Sequence, residues 1–211
     1  MIHSIAKQLR PALLCTVFFV VITGFAFPGV IWGIGQVAFP DQTNGSLIRD
    51  GRGHLVGSSL LGQCFSQPQY FHPRPSAAGA GYDAASSSGT NLGPTSSKLV
   101  RGSEDDPATP DVDEAYLGFG DLARLYREEN GLSADAVIPA DAATRSASGL
   151  DPDISLANAE LQVPRVAKAR HIDAARVREL IAQQGKGPLL GVLGEPRVNV
   201  LLLNLALDGL E

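Results

Sequence analysis

The residue types that perform hydrolysis are present in this sequence, but they do not form a recognisable catalytic pattern. Asp151 and Asp153 flank Pro152, and two neighbouring carboxylates can serve as the acid and the base of a hydrolase. Because aspartate and proline also favour turns and helix starts, we interpret this pair first as a turn. The four histidines are scattered along the chain and lack the spacing of a metal site.

Motifs for nucleotides and nucleophiles are incomplete as well. Gly185-Lys186-Gly187 lacks the upstream glycine and the following hydroxyl residue of a phosphate-binding loop. Gly57-Ser58-Ser59-Leu60 approaches a nucleophile elbow, but Leu61 stands where the closing glycine belongs. We therefore expect no catalytic residue, no metal site and no cofactor bound directly by this chain.

An uncharged N-terminal stretch dominates the first fifth of the 211 residues. No charged side chain occurs from Pro11 to Pro40, which exceeds the roughly 18 apolar residues typical of a membrane-spanning helix. The pattern predicts a transmembrane helix over residues 11–36, and Pro28 is expected to kink it. Gly29 and Gly33 lie four residues apart on one helical face, a spacing that lets a second helix approach closely, and Thr23 could add an interhelical hydrogen bond.

The charges around this helix predict its orientation. Lys7 and Arg10 precede it and Asp41 follows it, so residues 1–10 are expected in the cytoplasm and residues 41–211 outside. The alternative is a cleaved signal peptide, since Gly24-Phe25-Ala26 places small residues at cleavage positions. The apolar character continues well past Ala26, which favours an uncleaved anchor.

The remainder of the chain is acidic. Residues 41–211 contain all 22 acidic residues and every basic residue except Lys7 and Arg10, which gives a net charge of −7. That charge argues against nucleic acid or anionic lipid as a ligand.

Turn dipeptides and periodicity predict an α+β domain over residues 41–211. Asp50–Gly53 separates two short β-segments and predicts a hairpin. Residues 73–97 are rich in Pro, Gly, Ala and Ser; their composition favours a flexible linker, with an ordered functional loop as the alternative. Residues 98–115 are acidic and interrupted by proline, which predicts a mobile segment. Leu117–Glu129 has helical periodicity and ends before Gly131.

The last third predicts three helices. Ser155 can cap the first, with Pro164 interrupting it. Asp173 can cap the second, with Val177, Leu180 and Ile181 buried and Gly185 at its end. The third runs from Val198 to Asp208 with one apolar stripe, formed by Val198, Leu201, Leu202 and Leu205. Early strands followed by late helices are typical of an α+β domain.

Short phrases spread along the chain resemble one family, the C subunit of the bacterial Kdp-type potassium-transporting ATPase (the KdpC family). In chain order they are Leu9-Arg10-Pro11-Ala12, Asn44-Gly45-Ser46-Leu47-Ile48, Gly57-Ser58, Leu61-Gly62-Gln63 with Phe65, Tyr70-Phe71-His72, Arg74-Pro75-Ser76, Gly89, Asn91-Leu92, Gly93-Pro94-Thr95, Ser146-Ala147-Ser148-Gly149-Leu150-Asp151, Val163-Pro164-Arg165-Val166-Ala167-Lys168-Ala169-Arg170, Val198-Asn199-Val200 and Leu203-Asn204-Leu205-Ala206-Leu207-Asp208. Their order, and their spread from residue 9 to residue 208, make the resemblance specific. Residues 98–144 depart from it, because this chain is longer and more acidic there.

The resemblance implies an accessory subunit in the bacterial inner (cell) membrane. It implies two partners, a potassium-binding channel-like subunit and a P-type catalytic subunit, with ATP and potassium handled by the complex. The family is described as assisting assembly and raising the ATP affinity of the catalytic subunit. With only about ten residues predicted on the cytoplasmic side, we expect any such effect here to be indirect.

Five residues are candidates for partner contact: Gly29, Gly33, Arg74, Asn91 and Arg165. Arg74 and Asn91 could instead satisfy local backbone groups, as polar loop residues commonly do. The alternative function is a membrane-anchored extracytoplasmic binding protein or hydrolase that acts alone.

Overall fold

The computed structural model describes residues 2–103 and 116–209, with side chains from residue 7 onward. The chain separates into two compact units, residues 1–47 and 48–211. The first is largely helical, and the second mixes helices with short strands. Residues 104–115, most of the segment predicted to be mobile, lie outside the described residues.

Helical segments make up the first unit. They are α1 (Ile2–Val21), a π-helical turn (Ile22–Ala26), α2 (Phe27–Ala38) and α3 (Pro40–Thr43). The 32 residues of Lys7–Ala38 are long and apolar enough to cross a membrane, and no residue of their most apolar stretch is buried. At 1.5 Å per residue they reach about 48 Å, more than the roughly 30 Å hydrocarbon core. The predicted apolar helix is confirmed, and it extends past both residue 11 and residue 36.

The helix changes its geometry just before Pro28, where a kink was predicted. The N–H of Phe27 donates to the carbonyl of Ile22, five residues earlier, as in a π-helix. Pro28 has no N–H to offer Gly24, and its ring crowds the carbonyl of that residue. The widened turn ahead of the proline accommodates this crowding.

A hairpin near the start of the second unit matches the sequence prediction. Strands β1 (Leu47–Arg49) and β2 (Leu55–Ser58) pair with each other. The N–H of Asp50 donates to the carbonyl of His54 at 3.0 Å, and the N–H of Gly53 donates to the carbonyl of Asp50 at 2.9 Å. The predicted turn at Asp50–Gly53 is therefore confirmed.

The Pro-, Gly- and Ser-rich segment at residues 73–97 is an ordered loop, so the linker prediction is wrong. Ala78 is completely buried. The N–H of Ser88 donates to the carbonyl of Ser148 at 3.0 Å, and the hydroxyl of Ser76 donates to the carbonyl of Gly149 at 2.6 Å. The small side chains that suggested flexibility allow this close packing.

Three helices follow the loop: α4 (Ser97–Arg101), α5 (Phe119–Glu129) and α6 (Ala140–Ala143). The helix α4 contains Lys98–Arg101, so the beginning of the segment predicted to be mobile is helical. The helix α5 is the one predicted over Leu117–Glu129, and it buries Tyr126. Gly131 follows it with φ +64°, which confirms the predicted stop.

Most of the hydrophobic core is formed by the C-terminal third of the chain. Strand β3 (Asp153–Ser155) leads into α7 (Leu156–Arg170), which is followed by α8 (Ala174–Gln184), strand β4 (Arg197–Asn199) and α9 (Val200–Asp208). The two strands are antiparallel, with Ile154 opposite Val198. The fully buried apolar side chains of the core, all under 2% exposed, are Phe71, Ile154, Ala159, Val163, Val166, Val177, Val198, Leu203 and Leu207. The fold is mixed helix and strand, but strands also occur late in the chain.

Two of the helix predictions in this third need correction. The helix α7 continues through Pro164 to Arg170. Because Glu160 and Pro164 are both exposed, water can reach the carbonyl that the proline leaves without a donor. Val198 belongs to β4, where it pairs with Ile154. Helix α9 begins after it, because the side chain of Asn199 caps the helix by accepting from the N–H of Leu202.

The buried stripe of α9 differs from the predicted one accordingly. Its fully or nearly fully buried residues are Val200, Leu201, Leu203, Asn204 and Leu207. The predicted caps at Ser155 and Asp173 are confirmed, as are the buried face and the end of α8.

Candidate functional site

The five candidate contact residues occupy three places in the chain. Gly29 and Gly33 lie in α2, Arg74 and Asn91 lie in the loop at residues 73–97, and Arg165 lies in α7. The side chains and backbone around each place differ, so each place can make different contacts.

The glycine face of α2 is open. A Cβ atom added at Gly29 or Gly33 would meet nothing within 4 Å, so another helix could approach the backbone there closely. The hydroxyl of Thr23 donates to the carbonyl of Phe19 at 2.7 Å, so toward another helix its oxygen can serve as an acceptor.

Arg165 holds the segment that precedes the loop. Its Nη1 donates to the carbonyls of Pro68 and Tyr70, both at 2.8 Å. Its Nε donates to Oδ1 of Asn130 at 3.0 Å, and its Nη2 donates to Oε1 of Gln162 at 2.6 Å. Four of the five N–H groups of the guanidinium are thus used inside the domain. Burial lowers the pKa of Arg165 below its ordinary value.

A cleft of about 520 Å³ opens beside Arg165 between the ends of α5 and α7. Glu129 and Lys168 also line it. A partner could therefore reach the edge of the guanidinium, although most of its hydrogen bonds are internal.

Buried amides extend the network of Arg165 along α7. Gln162 accepts from the N–H of His72 at 2.8 Å and donates to the carbonyl of the same residue at 3.0 Å. It also donates to Oδ1 of Asn158 at 2.9 Å. The side-chain amide of Asn158 donates to Asp141 at 3.0 Å, and the hydroxyl of Tyr126 donates to Oδ1 of Asn158 at 2.8 Å. Burial raises the pKa of Tyr126 well above its ordinary value.

The ring of His72 joins this network to α5. Its Nδ1 lies 2.7 Å from Oε1 of Glu129, and its Nε2 lies 2.9 Å from the carbonyl oxygen of Gln67. The hydrogen bond with His72 holds the pKa of Glu129 below its usual value, against the opposing effect of partial burial.

Arg74 is also held within the domain. Its Nη1 donates to Oδ2 of Asp151 at 2.8 Å, and its Nη2 donates to the hydroxyl of Thr144 at 3.3 Å. Its carbonyl accepts from the hydroxyl of Tyr82. Arg74 therefore fixes the loop to the turn that leads into β3.

The carboxylates considered for hydrolysis line a cleft of about 480 Å³ next to Arg74. Asp151 pairs with Arg74, and Asp153 pairs with Arg197 at 2.8 Å. Each carboxylate is thus bound by its own arginine, as in a structural ion pair. Within the described residues, no group of three or more His, Cys, Asp or Glu side chains could hold a metal ion.

Asn91 differs from the two arginines. Its side chain is exposed, and its φ of +53° lies in the left-handed region that asparagine tolerates. Asn91 is therefore the loop candidate that lies on the surface.

Sequence reasoning missed the buried amides Asn158, Gln162 and Asn204. All three are 1% exposed, and Asn204 exchanges two hydrogen bonds with the backbone of Phe71, at 2.8 and 3.0 Å. A signal existed, because Asn158, Gln162 and Arg165 are spaced i, i+4 and i+7 on one face of a helix.

Comparison with known proteins gives a consistent result along nearly the whole chain. The family model described as "K+-transporting ATPase, c chain" matches residues 9–209. A protein of Caulobacter sp. (strain K31), described as "Potassium-transporting ATPase KdpC subunit", is 50% identical over 202 residues, which cover 96% of this chain and 93% of that protein.

Two further relatives carry the same description. The protein of Caulobacter vibrioides (strain NA1000 / CB15N) is 52% identical over 202 residues, covering 96% of this chain and 93% of its own length. The protein of Mycobacterium tuberculosis (strain ATCC 25618 / H37Rv) is 49% identical over 205 residues, covering 97% of this chain and 99% of its own length.

Proposed function

This chain belongs to the KdpC family of potassium-transporting ATPase subunits, and from that premise we propose that it is a non-catalytic accessory subunit of an ATP-driven potassium uptake complex. In that role it assists assembly and raises the ATP affinity of the catalytic subunit without binding nucleotide itself. The observation that carries the proposal is the extent of the match, which includes both the apolar helix and the domain that follows.

The proposed location is the bacterial inner (cell) membrane, crossed once. Residues 1–10 lie in the cytoplasm, residues 11–36 span the bilayer, and residues 41–211 form an extracytoplasmic domain, periplasmic or extracellular. Lys7 and Arg10 on one side of the apolar stretch, with Asp41 on the other, support this orientation.

The orientation can be tested with a residue that the chain already contains. Cys64 is exposed, so a membrane-impermeant thiol reagent added to intact cells should label it. A Ser4→Cys variant that carries Cys64→Ser should be labelled only after the cells are opened. The reverse pattern, or a mature chain that begins near Phe27, would contradict the proposed topology.

The proposed partners are a potassium-binding channel-like subunit and a P-type catalytic subunit. The open glycine face at Gly29 and Gly33 supports a helix contact inside the membrane. On the domain, the exposed side chain of Asn91 and the cleft beside Arg165 are the proposed contacts. Arg74 supports the loop that carries Asn91, because it anchors that loop to Asp151.

The effect on ATP affinity is proposed to act through the partner helices. ATP is cytoplasmic, and about ten residues of this chain would lie on that side. A coupling free energy transmitted across the membrane can change nucleotide affinity without direct contact.

Two measurements test the function. An affinity-tagged chain, purified from its own host in mild detergent, should bring with it a channel-like protein and a P-type ATPase. Deleting the gene should slow growth at low potassium concentration, and the intact chain should restore it. A chain that purifies alone, in cells whose potassium uptake does not need it, would favour a protein acting by itself.

A further inference from the structure

A hairpin loop between α8 and β4 carries an exposed apolar end. Its four aliphatic side chains are 65%, 84%, 79% and 58% exposed; they are Leu189, Leu190, Val192 and Leu193, together called the apolar tip. Single exposed apolar side chains are ordinary, but a contiguous group of this kind marks an interaction site. None of the contact residues considered above lies in it.

The loop has a fixed base. Lys186 and Arg197 exchange two backbone hydrogen bonds, at 2.8 and 2.9 Å. The side chain of Arg197 donates to Asp153 at 2.8 Å, and the next residue, Val198, is completely buried. The loop that carries the apolar tip is therefore anchored to the sheet formed by β3 and β4.

Four backbone donors of the loop are paired within the loop itself. The N–H groups of Leu189, Gly191, Val192 and Leu193 donate to carbonyls of Leu193, Pro188 and Leu189 at 2.8–3.2 Å. An exposed turn normally relies on water for such groups. Because these four donors are paired internally, entry of the apolar tip into a dry environment leaves fewer backbone groups unsatisfied.

Leu190 occupies an unfavourable backbone conformation. Its φ is +55°, a left-handed region in which glycine or asparagine is far more common than a bulky residue. Since the side chain is also 84% exposed, folding of this chain gains little from leucine at this position. Strain of this kind at an exposed apolar residue indicates a role in binding.

We propose that the apolar tip inserts into an uncharged, apolar depression on another protein subunit of the same membrane complex. This inference rests on the proposed function, which supplies the partner. Residues 187–194 contain no charged side chain, so the matching surface is uncharged as well.

A lipid surface fits the apolar tip less well. Segments that bind membrane interfaces combine apolar side chains such as Leu with aromatic and basic ones, and residues 187–194 contain no aromatic or basic residue.

A second copy of this chain is disfavoured by size. Four aliphatic side chains form a patch on the order of a few hundred Å², whereas a stable independent interface buries roughly 800 Å² on each partner. A small patch suffices when another contact already holds the two proteins together, because the tether raises the effective concentration.

The test uses the intact complex purified in detergent. Leu190→Asn suits the left-handed backbone and removes the apolar side chain, so the variant should unfold at the same temperature as the unsubstituted chain or higher. It should release the chain from its partners about 10- to 100-fold more readily, the effect of exposing one buried leucine. Val192→Thr keeps the shape of the side chain but makes it polar, and it should also make release from the partners easier.

Val137→Asn is the matched control, because Val137 is 92% exposed but lies outside the apolar tip. This variant should be released from the partners as readily as the unsubstituted chain. A benzophenone amino acid at position 190 should crosslink to a protein subunit of the complex on illumination.

The possible failures can be told apart. If the unsubstituted chain retains no transporter subunit, the proposed function fails and this inference fails with it. If the complex forms but Leu190→Asn is retained like Val137→Asn, or position 190 crosslinks only to lipid or to a second copy, the inference is overturned and the function stands.

Discussion

The Nδ1 atom of His72 lies 2.7 Å from the Oε1 atom of Glu129, and this contact joins the segment before the loop at residues 73–97 to the last turn of α5. The backbone of His72 is bound at the same time by Gln162 of α7. One histidine therefore connects α5 and α7 to the segment that precedes the loop.

This contact predicts an acid-sensitive contribution to stability. The pKa of Glu129 is lowered in the folded chain, so the carboxylate stabilises the fold above the ordinary glutamate pKa, and its contribution is lost as the pH falls through the folded pKa. Because Glu129 is 41% exposed, we expect Glu129→Gln to cost less than about 1 kcal/mol at neutral pH.

Urea unfolding of the intact chain in detergent, at pH 7 and at pH values below about 4.5, measures this effect. The variant should lose less stability on acidification than the unsubstituted chain. Glu128→Gln is the control, since Glu128 pairs with Arg124 on the surface. Equal acid sensitivity of Glu129→Gln and the unsubstituted chain would exclude a contribution from this pair.

Local signals in the sequence were sufficient for some elements of this fold. Ser155 and Asp173 were predicted as helix caps because short oxygen-bearing side chains can bind the free N–H groups of a first turn, and both do so. The hairpin turn at Asp50–Gly53 was predicted for a similar reason. In each case the decisive interaction spans only a few residues.

The failures come from interactions that are distant in the sequence. Pro164 was expected to end a helix, but burial of Val163 and Val166 stabilises α7 on both sides of it. Val198 fits a helical stripe with the leucines after it, yet pairing with Ile154, 44 residues earlier, places it in a strand.

The candidate site was predictable only in part, again because of distance. Arg165 and Arg74 were singled out from the resemblance, but their acceptors lie up to 97 residues away in the chain. No local pattern indicates that both guanidinium groups are largely used inside the domain.

The network around Arg165 should be a major contributor to stability. Arg165→Ala removes the donor from two backbone carbonyls and two side-chain amides. Leaving such acceptors without partners costs about 1 to 3 kcal/mol each when they stay buried, and we expect a total loss of about 3 kcal/mol after water reaches some of them. Arg165→Lys should recover only part of it, because lysine lacks the planar fork.

Thermal unfolding monitored by circular dichroism measures this loss. Arg124→Ala is the control, since Arg124 pairs with Glu128 on an exposed face and should change stability by less than about 0.5 kcal/mol. A comparable effect of the two alanine substitutions would contradict the structural role of Arg165.

Close packing of the loop at residues 73–97 can be tested at Gly149. This glycine has φ +68°, and a Cβ atom there would lie 2.6 Å from the backbone nitrogen of Ala78 and 2.7 Å from the carbonyl oxygen of Ser88. We expect Gly149→Ala to cost more than about 2 kcal/mol, because backbone strain and overpacking add.

Gly131→Ala separates the two effects. Gly131 has nearly the same φ, +64°, but nothing lies within 4 Å of its Cβ position, so only the backbone cost of about 1 kcal/mol remains. Limited proteolysis should cut within residues 73–97 more readily in Gly149→Ala than in Gly131→Ala. Equal stability and equal cutting would mean that the loop does not pack as described.

Asn91 offers a test of partner contact that leaves the fold intact. Because glycine accepts a φ of +53° more readily than asparagine, Asn91→Gly should preserve the stability of the chain while removing the side chain. Recovery of the complex on a tagged chain should fall. Unchanged recovery would mean that Asn91 serves only its own turn, whereas a joint loss of stability and recovery would point to a local structural role.

The last prediction concerns ATP. The sequence lacks a phosphate-binding loop, and residues 41–211 carry a net charge of −7 that disfavours polyanions. If the subunit acts by indirect coupling of the usual size, roughly 1 to 3 kcal/mol, a complex without it should bind ATP about 5- to 150-fold more weakly. The isolated chain in detergent should show no comparable binding. Calorimetric titration of ATP into the complete complex, the complex lacking this subunit and the chain alone measures all three quantities, and specific micromolar binding to the chain alone would rule out the indirect mechanism.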